Sequence, residues 1–220
     1  MPLKVFRMRL DYLIKEPKIK LDKNPLLLLL HGYGSNEADL FSFANELPDN
    51  YYVVSARAPY DLQMGSYAWY AINFDADENK FSDHEQARLS RDLIVDFIAE
   101  LIQNYPIDAN NITLIGFSQG TILSYAVALS YPKKINRVVA LSGYLNETIL
   151  TENFAQNDFS QLSFYISHGT VDQVIPVDWA RKAPTILDNL GITNIYKEYP
   201  IGHGVAQQNF YDFKNWLDKP

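Results

Sequence analysis

Cysteine is absent from this chain of 220 residues. A disulfide framework is therefore excluded, and so is S-palmitoylation of the chain itself. A chain of this length can bury a core that holds without cross-links or a structural metal. Long hydrophobic runs are missing too. The longest aliphatic run, residues 26–30, is five leucines, whereas a membrane-spanning helix needs about 20 apolar residues. The first stretch, MPLKVFRMRLDYLIKEPKIK, interleaves charges with apolar residues and offers no small-residue cleavage site, so no signal peptide is expected. Positive charge is in deficit: 19 Lys and Arg against 26 Asp and Glu give a formal net charge of −7. With no basic stripe, nucleic acid is not an expected partner. Repeats, low-complexity tracts and linkers are lacking as well. One domain over residues 1–220, in the cytoplasm, is the expectation.

What is present alternates. Residues 5–14 place Phe6, Met8, Leu10, Tyr12 and Ile14 on one face, which predicts a half-exposed antiparallel strand near a sheet edge. Residues 26–30 are apolar throughout, as in a strand buried on both faces. A helix is predicted over residues 37–47, with Asn36 as its cap. A strand follows at 52–55. Residues 59–82 read as a long loop rich in aromatics, including Tyr60, Tyr67, Trp69, Tyr70, Phe74 and Phe81. A long helix should run from 84 to 105. Strands are predicted at 112–115, 137–141, 162–167 and 194–199, and helices at 122–129, within 177–190 and at 205–217. Pro184 should kink or start the second of these helices. Residues 142–161 read mostly as loop. Strands alternating with helices predict an α/β fold, a mostly parallel sheet of about six strands with helices on both faces. In such sheets function gathers in the loops at the carboxyl ends of the strands.

One of those loops carries a specific signal. Gly116-Phe-Ser118-Gln-Gly120 sits between the apolar strand 112–115 and an Ala-rich helix. A serine there is forced into strained backbone angles, with its hydroxyl standing proud of the sheet. Glycines two residues to each side let strand and helix approach closely. The helix N-terminus beneath it favours developing negative charge. The alternative is a serine that only caps the helix.

A serine hydroxyl needs a base near neutral pH. Of His31, His84, His168 and His203, two follow Ser118, and in this arrangement an acid must lie between serine and histidine. His203, in the glycine-flanked loop "YPIGHG", is the predicted base. Asp172, in "SHGTVDQVIP", is the predicted orienting acid, with Asp158 and Asp178 as rivals. Asp178 is better explained as a helix cap. His168 is expected to pair with backbone in the loop that carries Asp172, and His84 to be a solvated helix start. An oxyanion hole needs two N–H donors: the backbone of Gln119, and that of Tyr33 in "LLLLLHGYGSNE". That loop also begins like a dinucleotide fingerprint, but the third glycine position is Glu37, whose carboxylate would repel a pyrophosphate. No cofactor and no metal are expected.

Together, "LLLLHGYGSNE", "ARAP", "GFSQG", "LSGYL", "HGTVDQVIP" and "GHG" resemble, in order, the phospholipase/carboxylesterase family of α/β-hydrolases, which includes the acyl-protein thioesterases. The resemblance covers residues 26–217. It implies the α/β-hydrolase fold without a large lid domain, with Ser118 as nucleophile, Asp172 as acid, His203 as base, and Tyr33 and Gln119 at the oxyanion positions. It also implies hydrolysis of carboxylic esters or thioesters through an acyl-enzyme, and a fairly open mouth expected from the 59–82 and 142–161 loops suits small to medium acyl groups. Acylated protein is a possible substrate, and the chain is expected as a monomer or homodimer. Trp69 and Tyr144 match aromatic positions near the family's active site and are expected to wall the pocket. Two residues depart from the pattern: Thr121 replaces a frequent glycine, and Tyr33 replaces a frequent leucine and should narrow or polarise the pocket mouth. The rival readings are a peptidase with the same triad and a non-catalytic member of the fold that binds a ligand or partner.

Overall fold

A computed structural model of the chain describes residues 8–74 and 80–219. At its centre is a seven-stranded sheet. Its strands are β1 (Tyr12–Lys15), β2 (Asn24–Leu30), β3 (Tyr52–Ala56), β4 (Ile107–Phe117), β5 (Arg137–Leu141), β6 (Ser163–Gly169) and β7 (Thr193–Tyr199). The spatial order is β1-β3-β2-β4-β5-β6-β7, with β1 antiparallel and the rest parallel. The antiparallel edge strand is therefore present. It begins at Tyr12 rather than residue 5, and residues 5–7 lie outside the described part of the chain.

The helices are α1 (Ala38–Phe41), α2 (His84–Asn104), α3 (Gln119–Ser130), α4 (Val177–Ala180), α5 (Lys182–Asn189) and α6 (Gln207–Leu217). Every residue of β2 is buried because both sheet faces are covered. Leu26, Leu28 and Leu30 join a cluster with Ile94 and Phe97 of α2 and Leu123 of α3. Leu27 and Leu29, on the opposite face, pack with Leu40 of α1 and Phe210, Phe213 and Leu217 of α6. α3 is buried at all twelve positions, which explains why its sequence is apolar all round rather than amphipathic.

Three predicted elements differ. The helix over 37–47 shrinks to the single turn of α1, because the aromatic and polar residues after Phe41 continue as turns. The helix within 177–190 is two helices meeting at Arg181. Pro184 stands in the first turn of α5, where its missing N–H costs nothing but its ring prevents continuation from α4. The long aromatic loop contains two small hairpins, Tyr60–Asp61 with Tyr67–Ala68, and Ile72–Phe74 with Lys80–Ser82. Residues 75–79 and the side chains of Phe74 and Phe81 lie outside the description.

Candidate active site

Ser118 joins β4 to α3 with φ 53° and ψ −115°, a sparsely populated conformation that costs about 1–3 kcal/mol and persists only where its surroundings enforce it. Glycine makes the turn possible on both sides. A Cβ at Gly116 would lie 2.5 Å from the Gly120 carbonyl oxygen, and one at Gly120 would overlap the Leu30 carbonyl of β2. Thr121, the bulkier departure, is fully buried. Its Oγ1 lies 2.7 Å from the Gly116 carbonyl oxygen and 2.6 Å from that of Leu141, and accepts the Leu141 N–H at 3.0 Å. The hydroxyl thus ties the helix start to β4 and β5, a bond glycine cannot supply.

The loops after β6 and β7 bring the other two groups to this turn. The Thr170 N–H donates to the Tyr199 carbonyl and the Val171 N–H to the Ile201 carbonyl. Gly169 admits the backbone of residues 201 and 202, where any Cβ would collide. The result is a continuous hydrogen-bonded chain. His203 Nε2 is 2.9 Å from Ser118 Oγ, and His203 Nδ1 is 2.7 Å from Asp172 Oδ2. Asp172 Oδ1 accepts the Val174 and Ile175 N–H groups at 2.8 and 2.9 Å. Burial alone would raise the Asp172 pKa, but the Ile175 N–H, the His203 ring and the Val174 N–H outweigh it and hold the carboxyl below its ordinary range. With Asp172 ionised, Nδ1 of His203 carries the proton and Nε2 is the acceptor facing Ser118. The Phe117 ring, 5.0 Å from the imidazole centroid to centroid, packs against it. The rival acids lie elsewhere: Asp158 caps the Ser160 amide, and Asp178, in the first turn of α4 rather than at its cap, pairs with Arg181.

Tyr33 and Gln119, the residues expected to supply the oxyanion donors, line the same cavity as Ser118. Gln119 is the first residue of α3, so its N–H has no acceptor within the helix. The Gln119 side chain is committed elsewhere: Oε1 accepts the Trp69 N–H and Nε2 donates to the Tyr70 carbonyl, both at 2.8 Å. In the loop after β2, the Gly34 N–H donates to Tyr67 and Ser35 bridges to Tyr67. Among the described residues the Tyr33 N–H has no such acceptor. His31, also buried, donates from Nδ1 to the Gly32 carbonyl and accepts the Ala58 N–H at Nε2. Burial lowers its pKa, so it is a neutral brace of the loop and not a second base.

With this geometry the chain can be compared with known proteins. The family model described as Phospholipase/Carboxylesterase matches residues 14–220. The chain belongs to the phospholipase/carboxylesterase family. That family is one of hydrolases. The chain is 27% identical over 208 residues to acyl-protein thioesterase 1 of Yarrowia lipolytica, covering 88% of this chain and 90% of that protein. It is 31% identical over 113 residues to a protein of Oryza sativa subsp. japonica named "Probable carboxylesterase", covering 50% of this chain and only 42% of the rice protein. Among solved structures, the Bacillus cereus carboxylesterase superposes with a TM-score of 0.80 at 23% identity, over 96% of this chain and 94% of that one.

Within this family frame, the cavity over Ser118 encloses about 440 Å³. Tyr144 lines it, as expected, with its ring edge-on to Trp179 at 5.1 Å. Trp69 does not, and that expectation is corrected. Its side chain is completely buried, with Nε1 donating to the His31 carbonyl at 2.9 Å, so it pins the aromatic segment beneath the loop after β2. The wall is instead Tyr70, one residue on, with Ile122 of α3 and Val174, Ile175 and Trp179 of the acid loop and α4. His84 begins α2, exposed as predicted, but also lines the cavity. The signal missed in the sequence was the apolar run after Asp172, "VIPVDW", of which Val174, Ile175 and Trp179 line the cavity. Among the described residues, no helix is long and apolar enough to cross a membrane.

Proposed function

We propose that the protein is a serine hydrolase of small to medium carboxylic esters or thioesters, working through Ser118, His203 and Asp172. The observation that carries this reading is the unbroken chain from Asp172 Oδ2 through His203 to Ser118 Oγ at 2.7 and 2.9 Å, on a strained turn that no structural role requires. His203 takes the Ser118 proton as Oγ attacks the acyl carbonyl. The Tyr33 and Gln119 N–H groups hold the oxyanion, each worth about 3 kcal/mol of transition-state stabilisation. His203 then returns the proton to the leaving group. It next takes a proton from the water that attacks the acyl-enzyme and passes it to Ser118 Oγ as that oxygen leaves, which restores the free site. Asp172 keeps the ring in the tautomer this needs and stabilises the imidazolium. The names of the relatives support ester and thioester substrates, including an acylated protein. A monomer or homodimer in the cytoplasm would suffice, and no cofactor or metal is required.

The cavity argues for acyl groups of limited length. It is walled by aromatics, and half-exposed Tyr33 and Trp179 stand at its mouth. A series of p-nitrophenyl esters from acetate to palmitate should peak in kcat/KM at short to medium chains and fall at the longest. Trp179→Ala should raise KM for the favoured chain about fivefold with kcat unchanged, the signature of lost uniform binding. Equal, slow turnover of every ester, insensitive to Ser118→Ala, would replace this reading with that of a ligand-binding member of the fold.

A further inference from the structure

Asp172 is approached by a second histidine. His168, at the end of β6, is buried, and its Nε2 lies 2.8 Å from the Ile175 carbonyl oxygen and 3.2 Å from Asp172 Oδ2. Both neighbours are oxygens, so Nε2 must carry the proton and face them as a donor. Nδ1 is equally buried and, among the described residues, has no hydrogen-bond partner. Such an orphan calls for an explanation. Its bare lone pair is what remains when the ring's single proton is committed to Nε2. The charged groups around the ring are accounted for: Asp172 holds His203, while Glu198, the register neighbour of His168 on β7, is bound by Arg181 and Tyr196.

The position of the ring matters because of residue 175. The Ile175 N–H donates to Asp172 Oδ1, and its carbonyl accepts from His168. The same residue is thus gripped at both ends, by the acid on one side and by His168 on the other. The same Nε2–H also lays its positive end beside the carboxylate oxygen that His203 uses.

We infer that His168 is a positioning residue for the hydrolytic site, closing the loop that carries Asp172 and tempering the charge that Asp172 presents to His203. This rests on the proposed role of Asp172 as the orienting acid. Loss of the donor loosens the loop and leaves a more negative Asp172 Oδ2. A more negative partner holds a proton on His203 more firmly, so the acid limb of the kcat/KM profile moves to higher pH. A ring that only filled space would produce neither effect.

The experiment compares wild type, His168→Leu and His168→Gln on one favoured p-nitrophenyl ester. Glutamine can place an N–H near the position of Nε2; leucine cannot. His168→Leu should lower kcat about tenfold or more with KM within about twofold, and shift the acid limb upward. His168→Gln should restore the limb and bring kcat within about threefold of wild type. An unshifted limb in a folded leucine variant, or a glutamine variant as impaired as leucine, overturns the assignment. Should the leucine variant not fold, wild type decides alone: nitrogen NMR of the imidazoles at pH 8 should show His168 as the neutral Nε2–H tautomer, and an Nδ1–H or doubly protonated ring overturns it. Inactive wild type that still shows the Nε2–H tautomer would instead count against the reading of Asp172, His203 and Ser118 as a hydrolytic unit.

Discussion

Ser118→Ala is expected to lower kcat about a millionfold and to leave stability unchanged or improved. The side chain makes no contact that holds the fold, and alanine tolerates the strained φ no worse than serine. Groups that act as one unit lose their joint contribution when any essential member is removed. His203→Ala should therefore cost about as much as Ser118→Ala, and the double variant no more than either. Asp172→Asn should cost less, about ten-thousandfold, because the amide can hold the ring in the wrong tautomer. The pKa of Asp172 is depressed, so its carboxylate stays ionised throughout the neutral range. For the same reason the stability that ionised Asp172 contributes is complete above the ordinary carboxylate range and is lost only as pH falls through its lowered value. Steady-state kinetics on a short aryl ester reads every one of these numbers. Additive losses in the double variant would mean that Ser118 and His203 do not act together.

The second large effect is on folding. Gly120→Ala should destabilise the protein by about 4 kcal/mol or more, a large share of a typical total of about 5–15 kcal/mol. The added Cβ would meet the backbone carbonyls of Leu30 and His31, which belong to the fully buried β2 and to the loop after it. No flexible side chain stands there to move aside, and overpacking against backbone is relieved only by separating α3 from β2. Gly204→Ala is the control. Its Cβ would meet nothing within 4 Å, so its stability should match wild type within about 0.5 kcal/mol. Urea midpoints with unchanged slopes measure both. Equal midpoints for Gly120→Ala and wild type would show that the close approach of strand and helix is not a requirement.

These two expectations were open to different degrees in the sequence. The order of strands and helices was legible because β2 to β6 carry short apolar runs bounded by turn residues, and β7 and the antiparallel edge strand announced themselves by alternation. The elbow was legible because two glycines around a serine make sense only where strand and helix backbones nearly touch. The pairing of Asp172 with His203 followed from chain order and glycine-flanked loops. What could not be read was the division of labour among aromatics. Trp69 and Tyr70 are adjacent, yet one is sealed beneath the loop after β2 and the other lines the cavity; both lie in a bend between the two small hairpins, and the shape of that bend fixes which is which. The grip of Gln119 on that segment was hidden likewise, whereas the pairing of His168 with backbone of the loop that carries Asp172 was legible. The Gln119 contacts join positions distant in the chain, across a loop whose shape no local propensity encodes. The failure of the helix over 37–47 has the same origin. Its apolar spacing is real, but Leu40, Ala44 and Leu47 reach the core from a single helical turn followed by bends.

The measurement that tests the central claim most directly is labelling by a fluorophosphonate, which reacts with an activated serine and not with a merely exposed one. Wild type should be labelled rapidly, with the adduct mapped to Ser118. Labelling should vanish in Ser118→Ala and slow severely in His203→Ala and Asp172→Asn. Folded wild type that stays unlabelled, or that is labelled at the same rate when His203 is replaced, would contradict the account.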